Sequence, residues 1–429
     1  MTRRRLRALL VLSLPVALLV GACSERLETA GSCPLLCPGQ ELDVLDALID
    51  PAVELDTTLG AYPFIGYENP LLLASRGDTL DLRAVVRFDS LVRNFTPTGD
   101  TLQAILMVDS AYLNIQLRKR AVALPANFVI EAYEVSDTTI ADSLPNLLLP
   151  FFSPAQLLGT LSIDSADFVD TGVVSIPIDT AKLRAAIGDP LIGMRIGLRI
   201  TSTEPVELWM TTSSMGVNGP FLRFKPSADS GTREIVMIPS SRTPAFPPNL
   251  SAAYVDYQIV ADAPDIRAPT RFAVGGLPGN RTYLRFNLPR WLTDSVYVLR
   301  ARLELTQDPV YGLDEADTVT VSAHLALGGH ALTDLLRAAS IVAPAGVFIS
   351  DSIVRTPADS GVLSLEINGA LRQWRTVDGT KPFPTALVLR SDVEGISPLG
   401  LRFFGLGAAP TLRPRLRISY VPNVTFGRP

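Results

Sequence analysis

The sequence predicts an all-β chain built as two tandem antiparallel β-sandwiches after an N-terminal leader. Three observations carry this. Short runs alternate apolar and polar residues with a period of two, as strands with one wet face do. In "TVTVSAHLAL", Val319, Val321, Ala323 and Leu325 alternate with Thr320, Ser322, His324 and Ala326. The chain carries 34 Pro and 30 Gly, which favours many short elements over long helices. And the pattern occurs twice. Phe88, Ala111, Ala132, Gly172 and Leu222 recur in order as Phe286, Ala301, Ala323, Gly361 and Leu416, at offsets of 198, 190, 191, 189 and 194. Collinear offsets that close indicate duplication. At 429 residues the chain is also long for one core.

The elements follow in chain order. "MTRRRLR" is a positive n-region, and "ALLVLSLPVALLV" is an apolar stretch of signal-peptide length, broken by Pro15. It ends in Gly21, Ala22 and Cys23, which resembles the lipobox of bacterial lipoproteins. The resemblance implies cleavage before Cys23, lipidation there, and membrane attachment through that lipid. Ser24 in the next position implies the outer membrane or cell surface. Residues 1–22 are thus read as signal peptide and 23–45 as a lipidated tether. The tether holds Cys33 and Cys37, for which a small disulfide ring, free thiols and half of a metal site all stay open. The first repeat is assigned to 46–240, a Pro/Ser-rich linker to 241–251, and the second repeat to 252–422. Helices are expected only in "DTAKLRAAIG", "GGHALTDLLRAAS" and "INGALRQW".

Charge sets limits on partners. Removing residues 1–22 takes away Arg3, Arg4, Arg5 and Arg7, so the formal charge falls from −5 to −9. A net-acidic chain is a poor nucleic-acid binder. The two halves differ: residues 24–250 sum to −11 and residues 251–429 to +2. An anionic partner is therefore expected on the C-terminal half.

In the second repeat, "GG…RTYLRFNL", "ARLEL", "LRQW" and "PRLRISY" follow one another. This order resembles the DNRLRE (disaggregatase-related) domains of bacterial and archaeal surface proteins, over about 252–422 and more weakly over the first repeat. The first repeat has no tryptophan matching Trp374. The resemblance implies jelly-roll sandwiches and, for some members, binding of polysaccharide, including acidic polysaccharide. It carries over no catalytic residue.

Chemistry is sparse in the sequence. His324 and His330 are the two histidines, so the first repeat has no Ser-His-Asp triad or His metal cluster of its own. No enzyme activity and no cofactor are expected. The Asp-containing turns "SDTTIADS", "DSADFVD" and "DPVYGLDEADT" could hold a structural calcium, although their spacing is not that of an EF-hand. "VGGLPGNRTY" precedes a strand, so it is not a phosphate-cradling loop. Trp374 is read as core. Trp209, Trp291 and Tyr311 are candidate platforms for sugar rings. Arg285, Arg302, Arg413, Arg415 and Arg417 fall on the polar side of their strands. They form either an ordinary solvated face paired with Glu304 and its neighbours, or a site for the carboxylates of an acidic glycan. The function expected is a non-catalytic binding module for extracellular polysaccharide. The competing expectation is a structural or assembly lipoprotein with protein partners and no sugar ligand.

Overall fold

The computed structural model describes residues 44–60, 69–97, 101–120, 123–135, 145–168, 170–189, 193–227, 233–241, 255–277, 279–311, 317–326, 351–375, 384–395 and 397–422. Cys23, Cys33, Cys37, His330 and the expected helix "GGHALTDLLRAAS" lie outside them. The other two expected helices form: α1 (Thr180–Gly188) and α3 (Asn368–Gln373), with a short α2 (Arg290–Asp294) between them in sequence. Asp179 caps α1 by accepting from the backbone N–H groups of Ala181 and Lys182.

The rest is strand. The first strands are β1 (Leu45–Ile49), β2 (Val53–Gly60), β3 (Leu71–Arg76), β4 (Leu80–Phe88), β5 (Asn94–Phe95), β6 (Gln103–Ala104), β7 (Val108–Lys119) and β8 (Asn127–Glu134). Next come β9 (Leu157–Asp164), β10 (Thr171–Pro177), β11 (Met194–Thr201), β12 (Val206–Met210), β13 (Phe221–Pro226), β14 (Ile235–Met237) and β15 (Asp256–Asp262). The last are β16 (Arg271–Gly275), β17 (Asn280–Phe286), β18 (Val296–Asp308), β19 (Val319–Leu325), β20 (Ser352–Arg355), β21 (Gly361–Glu366), β22 (Ala386–Ser391), β23 (Gly400–Phe404) and β24 (Arg415–Pro422).

Apart from the small β5–β6 pair, the strands form two antiparallel sheets of eleven. One runs β14-β13-β7-β12-β3-β4-β11-β8-β9, with β10 on β7 and β15 on β4. The other runs β1-β24-β18-β23-β16-β17-β22-β19-β20, with β21 on β18 and β2 on β17. The two orders match position by position. All five pairs of residues that established the duplication fall on equivalent strands. Each sheet curls at its longest strand, β7 or β18, and closes over its own core. Leu303, Leu365 and Leu416 from one layer meet Leu284, Leu389 and Phe403 from the other. Leu113, Ile176 and Leu222 meet Val86, Ile130 and Leu198 in the same way. Trp374 is fully buried and its ring lies 5.1 Å from that of Phe286, so its reading as core holds.

The strand pairing moves the boundaries read from the sequence. β1 and β2, assigned to the tether and first repeat, complete the second sheet: Leu45–Ile49 pair with β24, and Val53–Gly60 pair with β17. β15, assigned to the second repeat, completes the first sheet on β4. The first sandwich is therefore the continuous stretch β3–β15, and the second is β16–β24 plus β1–β2. The stretch 241–251 read as a linker interrupts the first sandwich between β14 and β15. Both displaced strands do the same job. β2 fits between β16 and β17, where the Thr58 hydroxyl meets the Thr282 hydroxyl at 2.9 Å and accepts from the Ala273 N–H at 3.3 Å. At the equivalent place on β15, the Gln258 amide accepts from Leu72 N–H at 2.8 Å and donates to Leu72 and Arg83 carbonyls. Each side chain closes a gap in the ladder that would otherwise leave buried backbone groups unpaired.

Candidate functional site

The arginine-rich face forms, but with its own counter-charges. Arg417 and Arg415 both bind Glu304, at 2.6 and 3.3 Å. Arg413 binds Asp50 at 2.6 Å, and Arg300 binds Glu366 at 2.7 Å. Arg302 lies opposite Arg417 and Glu366 in register and makes no ion pair among the described residues. Arg285 does not join this group. It stands on β17, in the other layer, and binds Glu54 at 2.6 Å. The solvated-face reading thus describes the geometry. The displaced strands explain much of it, since β1, β2 and the turn between them bring Asp46, Asp50, Glu54 and Asp56 to the second sandwich. The basic balance assigned to the C-terminal half is cancelled there.

Trp209 is corrected as a platform. Its neighbours Val206, Leu208 and Met210 are fully buried, so its ring does point away from the core. That outer face is covered by the second sandwich. Trp209 packs with Leu72, Ala74, Leu80, Leu82 and the incoming Leu277, and the Arg120 guanidinium lies 5.6 Å from the ring centroid. Leu277 sits at the tip of the "VGGLPGN" turn. Gly275 and Gly276 hold positive φ of 81° and 74°, which a side chain would strain, and this aims Leu277 into the first sandwich. An ionic cluster lies alongside. Glu207 is 1% exposed and accepts from Arg76 at 2.6 Å and from Arg120. Arg120 reaches on to Asp317 of the second sandwich at 2.8 Å. Nothing in the order of residues signals this cluster, because its members come from four separate stretches.

Trp291 is 36% exposed and its ring lies 5.1 Å from that of Tyr420 at one end of the second sandwich. Tyr311 is the most open of the three candidates, at 72%. It stands at a cleft of about 610 Å³ between the sandwiches. Arg76, Asp78 and Thr79 form one wall, Tyr311 and Arg402 the other, and Asp262 and Asp265 the floor, where the chain crosses from β15 to β16. Arg402 is held by Asp308 at 2.8 Å and by the Pro309 carbonyl, so its guanidinium has a fixed position. The cleft combines an exposed ring, fixed guanidinium groups and carboxylates, the groups that stack on and hydrogen-bond to polyhydroxylated ligands.

His324 is partly buried and its Nε2 lies 2.9 Å from the Ser322 hydroxyl. Burial, then the Arg390 and Arg281 guanidinium groups, hold its pKa below the usual imidazole range. Among the described residues, no group of three or more His, Cys, Asp or Glu is placed to hold a metal ion. Within the turns considered for calcium, Asp164 caps a turn through Ala166 N–H and Asp308 binds Arg271 and Arg402. Residues 136–143 and 312–316 lie outside the described residues.

No family model matches the chain, and no curated protein does. Among solved structures, infectious bursal disease virus Gx strain aligns over 87% of this chain and 79% of its own, at 12% identity and a TM-score of 0.15. The Macrobrachium rosenbergii nodavirus structure aligns over 90% and 98%, at 9% identity and 0.16. The M60 catalytic domain with the CBM51-1 and CBM51-2 domains from Clostridium perfringens ZmpB aligns over 81% and 38%, at 8% identity and 0.14. Likenesses of this size carry no function to this chain.

Proposed function

We propose that the chain is a lipid-anchored protein of the outer membrane or cell surface, and that it binds extracellular polysaccharide without catalysis in the cleft between its sandwiches. The observation that carries the ligand class is Tyr311, 72% exposed over a trough of about 610 Å³ lined by Arg76, Arg402, Asp78, Asp262 and Asp265. A flat ring beside guanidinium and carboxylate groups suits a sugar chain laid along the trough. The anchor reading rests on the residues around Cys23.

A glycan array on the chain from Ser24 to Pro429 tests the ligand class, followed by calorimetry on any hit. Tyr311→Ala is expected to weaken binding about ten-fold, an aromatic stacking loss of ~1–2 kcal/mol, with an unchanged melting midpoint. Binding that ignores Tyr311→Ala places the site elsewhere, and an empty array removes the reading. For the anchor, Cys23→Ser is expected to release the protein from the membrane fraction at high salt, because the lipid supplies the affinity.

The alternative, an assembly lipoprotein with protein partners, draws on β14. It ends its sheet among the described strands and leaves Val236 and Ile238 58% and 75% exposed. Such an edge can accept a partner strand.

A further inference from the structure

We propose that one end of the second sandwich is a phospholipid-binding face that seats the protein on an anionic bilayer. The pairing gathers this end. β1 begins where β24 ends, with Leu45 opposite Tyr420, and β24 ends where β18 begins, with Tyr420 opposite Val298. Trp291, on α2, packs against Tyr420 with its ring tilted 50° to the other and the centroids 5.1 Å apart. The surface so formed is unusually apolar for an exposed one: Tyr297 is 59% exposed, Val44 57%, Leu299 51%, Leu45 42% and Trp291 36%. Leu299 is there because a bulge between Val298 and Arg300 drops it out of the ladder.

Charge and shape select the occupant. Arg290, Arg372 and Arg375 belong to this end with Asp294 in the same helix as Arg290, while Asp46 is engaged by Ser419 and Glu366 by Arg300, on a chain that is otherwise net acidic. Arg375 sits 5.8 Å from the centroid of the Tyr297 ring and donates to the Thr293 carbonyl. Between α2, α3 and β18 lies a pocket of about 420 Å³, lined by Leu292, Val296, Tyr297, Leu371, Arg372 and Arg375. Two guanidinium groups over an apolar floor fit a phosphate with the first carbons of an acyl chain beneath it. Trp and Tyr prefer this depth, with the ring in the interface and the polar atom in the headgroups. Basic side chains add attraction to anionic lipid.

The position of Val44 supports a bilayer over a soluble phosphate. Val44 leads directly to the stretch that holds Cys23, 21 residues away, which spans at most roughly 70 Å when extended. Here the inference rests on the lipid-anchor reading, but the face can be tested without it.

The test uses the unlipidated chain from Ser24 to Pro429 and sedimentation with vesicles. One set is phosphatidylcholine and the other contains about a third phosphatidylglycerol. Salt-sensitive binding is expected to the second set, with a shift in Trp291 emission. Arg372→Gln/Arg375→Gln is expected to abolish the preference for phosphatidylglycerol. Leu299→Asp, at a bulged and exposed position, is expected to lower partitioning about ten-fold with no change in melting. No binding to anionic vesicles at low salt, binding indifferent to both variants, or a concentration-dependent dimer dissolved by Leu299→Asp would each overturn the proposal. Failure of the anchor reading alone would appear differently, as vesicle binding by this chain together with an unlipidated Cys23 in cells.

Discussion

Glu207 is a buried carboxylate and His324 a half-buried imidazole whose neutral form the fold favours, and each makes a prediction. Glu207 is 1% exposed between Arg76 and Arg120. Glu207→Met would leave both guanidinium groups without their shared counter-ion, at a cost of ~3–5 kcal/mol in denaturant unfolding. Adding Arg76→Met and Arg120→Met should recover much of that loss, since an apolar cluster of similar volume does not need the ion pair. No recovery would mean that the arginines are needed for Asp317 and the packing against Trp209. At His324 the folded-state pKa is lowered, so the unfolded chain takes up the proton first as pH falls. Its contribution to stability is full above the unfolded value of about 6.5 and is lost as pH drops towards the lower folded value. Denaturation midpoints at about pH 7.5 and 5.5 should differ less in His324→Gln than in the parent chain. At this scale the sequence was legible where a residue's role is local. Trp374 was read as core from its place at the end of the short "LRQW" helix that the resemblance implies, and it is fully buried. The partner of Arg413 did not, because Asp50 lies 363 residues away, in the turn between two strands that alternation alone assigns to the nearer repeat.

Strands β2 and β15 show where reading by element succeeds and stops. Alternation and offset identify the copies because they depend on which face of a strand meets the core. They say nothing about which neighbour a strand chooses. "VELDTTLG" and "DYQIVAD" are equivalent first strands, and both pair outside the repeat in which the sequence places them. Deleting residues 24–60 removes β1, β2, and the buried Ala52 and Val53 from the second sandwich. It also opens the ladder between β16 and β17. The expected result is loss of the second sandwich's cooperative unfolding, while the first unfolds as before. A synthetic 44–60 peptide added in trans should restore a transition. Calorimetry that shows both sandwiches lost together would mean that the interface at Leu277 and Arg120, and not the strands, decides their stability.

For the whole molecule the same pairing sets which fragments stand alone. A chain of 69–262 contains every strand of the first sandwich, and a chain of 252–422 lacks two strands of the second. The first is expected to express as a folded monomer with dispersed amide signals, and the second to aggregate. The second becomes whole when β1–β2 is fused after β24. The join from Pro422 to Val44 would correspond to the loop that already links β13 to β14 in the first sandwich. If 252–422 folds by itself and the fused form gains nothing, β1 and β2 are ornament on a complete sandwich.

Strands far apart in sequence, β1–β2 and β24, are thereby fastened together, as a propeller's final blade is sealed by its opening strand. Such a seal counts copies. Each new unit hands its two leading strands to the unit before it, and the last unit can be finished only by the strands that began the chain. Two units close on themselves. An open series would leave one sheet always short of two strands, ready to take them from a neighbouring molecule and to grow without limit. Here residues 45–60 fill that place, so the second sheet has the same eleven strands as the first.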